Sequence, residues 1–124
     1  GKLNIEYVIS RDPKIYIATG GAHLEKTGGL VLGAGYDAAR ARASLAAVAQ
    51  RQGIAQLTAV KTGRTYGLAH QLINSPIDIV AIEAFATWIH PELFKDVDPQ
   101  KTLNEINQRF LAVPYEGTGW ISLK

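Results

Sequence analysis

The chain has no cysteine and no methionine, and none of its 124 residues belongs to an apolar run approaching the length of a membrane span. The first absence excludes disulfides and thiolate metal sites, and it suits an oxidising compartment without requiring one. Charge of either sign is also scarce. Thirteen basic and 11 acidic residues leave +2 at pH 7, too little and too evenly spread for a nucleic-acid surface. No signal peptide, repeat, low-complexity tract or interdomain linker is visible. Beginning at Gly1 without any methionine, the chain reads as a piece processed or excised from a longer protein. What is present, 47% apolar residues and 12 glycines, is the composition of one globular domain or a large piece of one.

The organising stretch is Tyr66 to Asp78. A short β-run from Arg64 to Leu68 breaks into the polar loop His70, Gln71, Leu72, Ile73 and Asn74, and Ser75-Pro76 then predicts a helix start with Ser75 as N-cap. A loop leaving the carboxyl end of a strand towards a helix is where open α/β folds place ligands.

In chain order, Asn4 caps a short helix, Ile5 to Arg11, with Val8 and Ile9 on one face and Glu6 exposed on its first turn. Lys14 to Thr19 reads as a buried strand running into Gly20-Gly21, and Ala22 to Tyr36 as an irregular, ligand-facing loop. Asp37 caps a helix from Ala38 to Gln52 with Ala41, Leu45, Val48 and Ala49 as its apolar stripe, and Gly53 stops it. Ile77, Val80, Ala81, Ala84, Phe85 and Trp88 recur at helical spacing and mark the main core helix. Pro91 ends it. Asp98-Pro99 starts another helix with Leu103, Ile106 and Phe110 inward, and the tail from Pro114 is irregular with Trp120 as an anchor. This alternation predicts an α/β fold, a parallel-rich sheet flanked by helices. Two strands are too few for such a sheet. Others are expected in Leu30–Leu32, Leu57–Val60, the tail, or upstream of Gly1, and without upstream strands an open sheet edge predicts self-association.

Chemistry-bearing motifs are sparse. Gly20 to Thr27 approaches a phosphate-binding loop, but Glu25 stands where that loop needs a glycine before Lys26-Thr27, and its charge repels phosphate. The three histidines show no helical metal spacing, so no metal site or cofactor is assigned. His90 is expected to cap the carbonyls of the core helix, and His23 pairs at best with Glu25. His70 and Gln71 are read as ligand contacts because the helix that follows needs neither, whereas Asn74 and Ser75 also serve the turn. Ser44 and Ser75 lack the setting of a nucleophile, and the aspartates stand where helix caps do. Binding groups without an evident reaction argue against an enzyme.

Three stretches carry a family resemblance. Ile5 to Gly21, Ala59 to Tyr66, and Asn74-Ser75-Pro76 with Glu83 to Ala86 and His90 to Phe94 resemble, collinearly, the carboxyl-terminal lobe of periplasmic solute-binding proteins of the ferric-siderophore, haem and cobalamin uptake class. The resemblance implies that residues 1–124 are most of that lobe, lacking the amino-terminal lobe, the linking helix and the first strands of this one. It implies a non-enzymatic substrate-binding component of an ABC importer in the periplasm, or lipid-anchored outside the cytoplasm, that takes a ferric-siderophore-type chelate in an interlobe cleft and delivers it to a membrane permease. Glu6 matches the carboxylate that docks on the permease. Thr19, Gly20, Gly21, Lys26, Tyr36, His70, Gln71 and Asn74 fall on the cleft side, Lys26 facing an anionic chelate. Two alternatives stand: direct haem binding through His70, His23 or Tyr36, and a small α/β enzyme using the Gly20-Gly21 loop.

Overall fold

The computed structural model describes residues 5–73, 75–111 and 114–123. Helix α1 (Ile5–Arg11) leads into strand β1 (Tyr16–Gly20), a 3-10 turn (Ala22–Thr27) and the short strand β2 (Gly33–Ala34). Helices α2 (Ala38–Ala49) and α3 (Thr58–Lys61) bring the chain back to strand β3 (Thr65–Ala69), followed by a second 3-10 turn (His70–Leu72). Helices α4 (Asp78–Ile89) and α5 (Pro99–Arg109) precede strands β4 (Gly117–Thr118) and β5 (Trp120–Ser122). The sheet order is β1-β3-β5: β1 and β3 are parallel with Gly20 opposite Ala69, and β5 runs antiparallel with Ile121 opposite Gly67. Strands β2 and β4 form a separate antiparallel ribbon. The predicted α/β class, a sheet flanked by helices, is what forms; the sheet expected to be parallel-rich is mixed, with one parallel and one antiparallel pairing.

Strand periodicity divides the core into two. Tyr66, Leu68 and Trp120 look to α4 and α5, where Leu72, Val80, Ala84, Trp88 and Leu103 are buried. Ala69, Ile121, Tyr16 and Ala18 look the other way, onto Leu30, Leu32, Ala41, Leu45 and Val48. Gly67 is what admits Leu30 to the strand, since a Cβ there would stand 2.8 Å from the Leu30 side chain. The stripe predicted for α2 (Ala41, Leu45, Val48 and Ala49) is the buried one, and the Asp37 carboxylate accepts from Arg40 N–H at 2.7 Å as its cap. Asp98 caps α5 in the same way, accepting from Gln100 and Lys101 N–H groups.

Several expectations are corrected. The helix after Pro76 starts only at Asp78. Ser75 Oγ donates to the Leu72 carbonyl and accepts from Ile77 N–H at 3.3 Å, so it shapes a turn before the helix and does not cap it. Helix α2 ends at Ala49, three residues short of Gln52. Of the places where a further strand was expected, the tail supplies it: Trp120-Ile121-Ser122 pairs with β3, so the tail is not irregular throughout. Leu30–Leu32 is buried without joining a sheet, and Leu57–Val60 lies at α3. Ile9 is exposed, and so is Phe110, at 76%, because α5 stops at Arg109 and Phe110 leaves the helical direction. The cap assigned to Asn4 falls outside the described residues.

Candidate functional site

Because β1 and β3 are parallel neighbours, their carboxyl ends lie side by side, and the chain leaves both through 3-10 turns. That juxtaposition brings Thr19 and His70 together. His70 Nε2 lies 2.9 Å from Thr19 Oγ1, the direction of the proton following the imidazole tautomer. His23 stacks on a face of the His70 ring, the centroids 5.1 Å apart and the planes 18° from parallel. Both imidazoles are exposed. Gly21 leaves room for the pair, since a Cβ there would approach His23 Nδ1 to 3.1 Å, while a Cβ on the buried Gly20 would strike the Leu30 carbonyl. His23 was assigned to Glu25 from the sequence. The turn instead directs Glu25 towards α2, where its carboxylate pairs with Arg40 at 2.7 Å and accepts from Tyr36 OH at 3.3 Å. The Tyr36 hydroxyl is held above its usual acidity range first by desolvation and then by the Glu25 charge. Lys26, beside Glu25, is exposed.

Gln71 points away from the histidines. Its Oε1 accepts from Ala34 N–H at 2.8 Å and from Tyr115 OH at 3.2 Å, tying the second turn to β2 and to the approach to β4. Gly33, at φ 121°, is what permits it, because a Cβ would stand 2.6 Å from that oxygen. Burial pushes the Tyr115 phenol up to about 12. Beyond these contacts an open apolar groove of about 490 Å³ runs between Ala34, Pro76, Ile77, Leu111 and Tyr115. Among the described residues, none of the ligand-binding residues expected from the sequence lines it.

The structure therefore gathers Thr19, Gly20, Gly21 and His70, adds His23, and ties Tyr36 to the first turn through Glu25, with Lys26 exposed on that turn. Glu6 is exposed on α1, which enters the amino end of β1, at the far end of the sheet. Asn74 lies outside the described residues. The side chain found on the last carbonyls of α4 is that of Arg64, 3.0 Å from Trp88 O, and not that of His90. Among the described residues no group of three or more His, Asp or Glu side chains could together hold a metal ion, and no helix is long and apolar enough to cross a membrane. Ser44 Oγ bonds Val31 and Ala41 backbone, an ordinary structural role for a helix serine.

No family profile matches the chain, and no curated protein does. Among solved structures it is similar to the TroA-like periplasmic binding protein FepB from Veillonella parvula, with a TM-score of 0.92 and 31% identity over 100% of this chain. The chain spans 36% of the length of that protein. The resemblance carried by the motifs is thus borne out: these residues fold as does one part of that TroA-like periplasmic binding protein.

Proposed function

We propose that residues 1–124 form the carboxyl-terminal lobe of a substrate-binding component of an ABC importer, and that the carboxyl ends of β1 and β3 are its half of an interlobe cleft. The observation that carries this reading is the His70–Thr19 contact at 2.9 Å with His23 stacked on it, exposed at the place where adjacent parallel strands end. A cluster of polar rings that packing does not require, carried on the turns that leave two paired strands, is suited to ligand recognition.

The cargo is a ferric-siderophore-type chelate. The iron stays inside its chelator and is bound as substrate, so hydrogen bonds and shape do the selecting and no protein ligand to the metal is needed. His70, His23 and Thr19 supply the donors and acceptors, the buried Gly20 and Gly21 make room beneath them for Leu30 and the His23 ring, and Lys26 and Tyr36 stand at the rim. Gln71 holds the second turn to β2, Asn74 is a further ligand contact expected from the sequence, and Glu6, at the opposite end of the sheet, docks on the membrane permease. Such a protein works outside the cytoplasm. One lobe offers only half the contacts and cannot exclude water, so the lobe alone binds weakly.

The test is calorimetric titration of the two-lobe protein with ferric chelates, haem and cobalamin. The expected result is saturable 1:1 binding of a ferric chelate, weakened at least tenfold by His70→Ala with unchanged thermal stability. Unchanged affinity in His70→Ala would remove the strand-end site. A Soret shift with haem that His70→Ala abolishes would replace the chelate by haem, and turnover of a phosphorylated or carboxylated substrate would revive an enzyme.

A further inference from the structure

Helix α4 is apolar on two opposite faces. Ile77, Val80, Ala81, Ala84 and Trp88 enter the core, which accounts for the stripe read from the sequence. On the other side Ile79 is 45%, Ile82 57% and Ile89 43% exposed. With the half-buried Ala86 these residues follow the spacing three, four, three, and a further step of four reaches Leu93, 76% exposed in the turn beyond the helix. A helix that is apolar all round is normally a buried one. The spacing also says what should bury it. Apolar residues alternating at three and four are the seam along which one helix packs on another at a shallow crossing angle.

Three occupants are possible for such a seam: a helix of a second copy, a separate partner protein, or a helix of the same polypeptide lying beyond these residues. Size decides between them. Four large side chains in one row fall far short of the roughly 20–30 residues a side on which a stable interface between separate chains depends. A row of that size suffices when the partner helix is covalently attached, because no translational freedom is then lost. The solved neighbour has such additional chain, since this fold accounts for only 36% of it. We infer that the Ile79–Ile82–Ala86–Ile89 face of α4 is the docking seam for an amphipathic helix of the same polypeptide outside residues 1–124. The inference rests on the reading of this chain as one lobe of a longer protein. Asp78 flanks the seam one residue before Ile79, so the docked helix is expected to carry a basic residue opposite it.

The absence of cysteine from these residues gives a direct probe. In the whole polypeptide, freed of any cysteine elsewhere, Ile82→Cys is compared with Gln108→Cys, an exposed position on α5, for the rate of reaction with a thiol-reactive dye. Protection of the Ile82→Cys thiol by 100-fold or more, independent of protein concentration, is the expected result. Reaction within threefold of the control overturns the seam, as does protection that is lost on dilution, which would identify a second copy. Ile82→Lys adds a second readout: a lowered thermal midpoint in the whole polypeptide is expected, and an unchanged one counts against the docked helix. Labelling requires no cargo. A protected thiol in a protein that binds no chelate, haem or cobalamin therefore refutes the cargo and leaves the seam, and a reactive one in a protein that binds chelate refutes the seam alone.

Discussion

The two turns that leave the carboxyl ends of β1 and β3 carry the two stacked histidines, yet they are held by opposite means. The turn after β3 is fixed from within: Leu72 is fully buried among the residues of α4, and Gln71 bonds β2 from the other side. The turn after β1 buries no residue. It is fixed from outside, by the Glu25–Arg40 pair and by Arg51 donating to the Gly28 carbonyl at 2.9 Å, with only the Thr27 hydroxyl on Leu24 O as a side-chain bond of its own. Burial of a leucine outweighs exposed ion pairs several-fold. His70 therefore stands on a rigid base, and His23 on a turn that can yield without unfolding the domain. A rigid contact beside an adaptable one suits a site that must both select a ligand and close over it.

The largest test of that contrast is Leu72→Ala. It removes a fully buried side chain from the α4 side of the core and should cost about 2–5 kcal/mol, read as a lower denaturant midpoint with an unchanged slope. A loss below about 1 kcal/mol would mean that the second turn is no better anchored than the first. The substitution should also disturb His70, so ligand affinity falls together with stability.

Alkaline pH probes both turns at once, because each has its own tyrosine. Tyr36 donates to Glu25 at the first turn, and Tyr115 donates to Gln71 at the second. Both phenols are raised in the folded state, Tyr115 to about 12 by burial. A raised folded value means that the stabilisation is complete below the unfolded value near 10 and is lost as pH climbs through the folded one. Ultraviolet titration of the tyrosines should show a late-ionising phenol near pH 12, removed by Tyr115→Phe. Stability should decline from about pH 10 upward, less steeply in that variant. Ionisation of all five tyrosines at the ordinary value would show the clamp on Gln71 to be open.

How far the sequence carries depends on whether the information is local. The stripe Ala41, Leu45, Val48 and Ala49, the Asp37 and Asp98 caps, and the run of core residues in α4 are set by neighbours within a turn or two, and the structure has them as read. Strand β5 is only three residues long and exists because β3 offers it an edge, which no pattern within Trp120-Ile121-Ser122 reveals. Ser75-Pro76 has the composition of a helix start, yet Ser75 is drawn back to the Leu72 carbonyl and the helix opens two residues later than Pro76. At the site the same division holds. His70 was legible from its place after a strand. The stacking of His23 on it was not, because only the parallel pairing of β1 with β3 brings the two together.

The smallest effect should come from Arg40→Ala. Arg40 and Glu25 are about half exposed, so their pair is worth only about 0.2–1 kcal/mol and the global midpoint should hardly move. The contrast between the turns predicts where the change will appear. Without Arg40, Glu25 keeps only the longer contact with Tyr36, and the segment Ala22–Thr27 has no buried side chain to hold it in place. Hydrogen exchange of the Leu24 and Gly29 amides, which bond the Gly21 and Leu24 carbonyls at the start and end of that turn, should quicken. Exchange at Ile73, bonded to the His70 carbonyl in the second turn, should remain as it was. Raised salt should reproduce the substitution in the unaltered chain, because an exposed pair is screened and a buried leucine is not. Equal quickening at both turns would show that the stacked imidazoles couple them, and the site would then have to be treated as one moving unit.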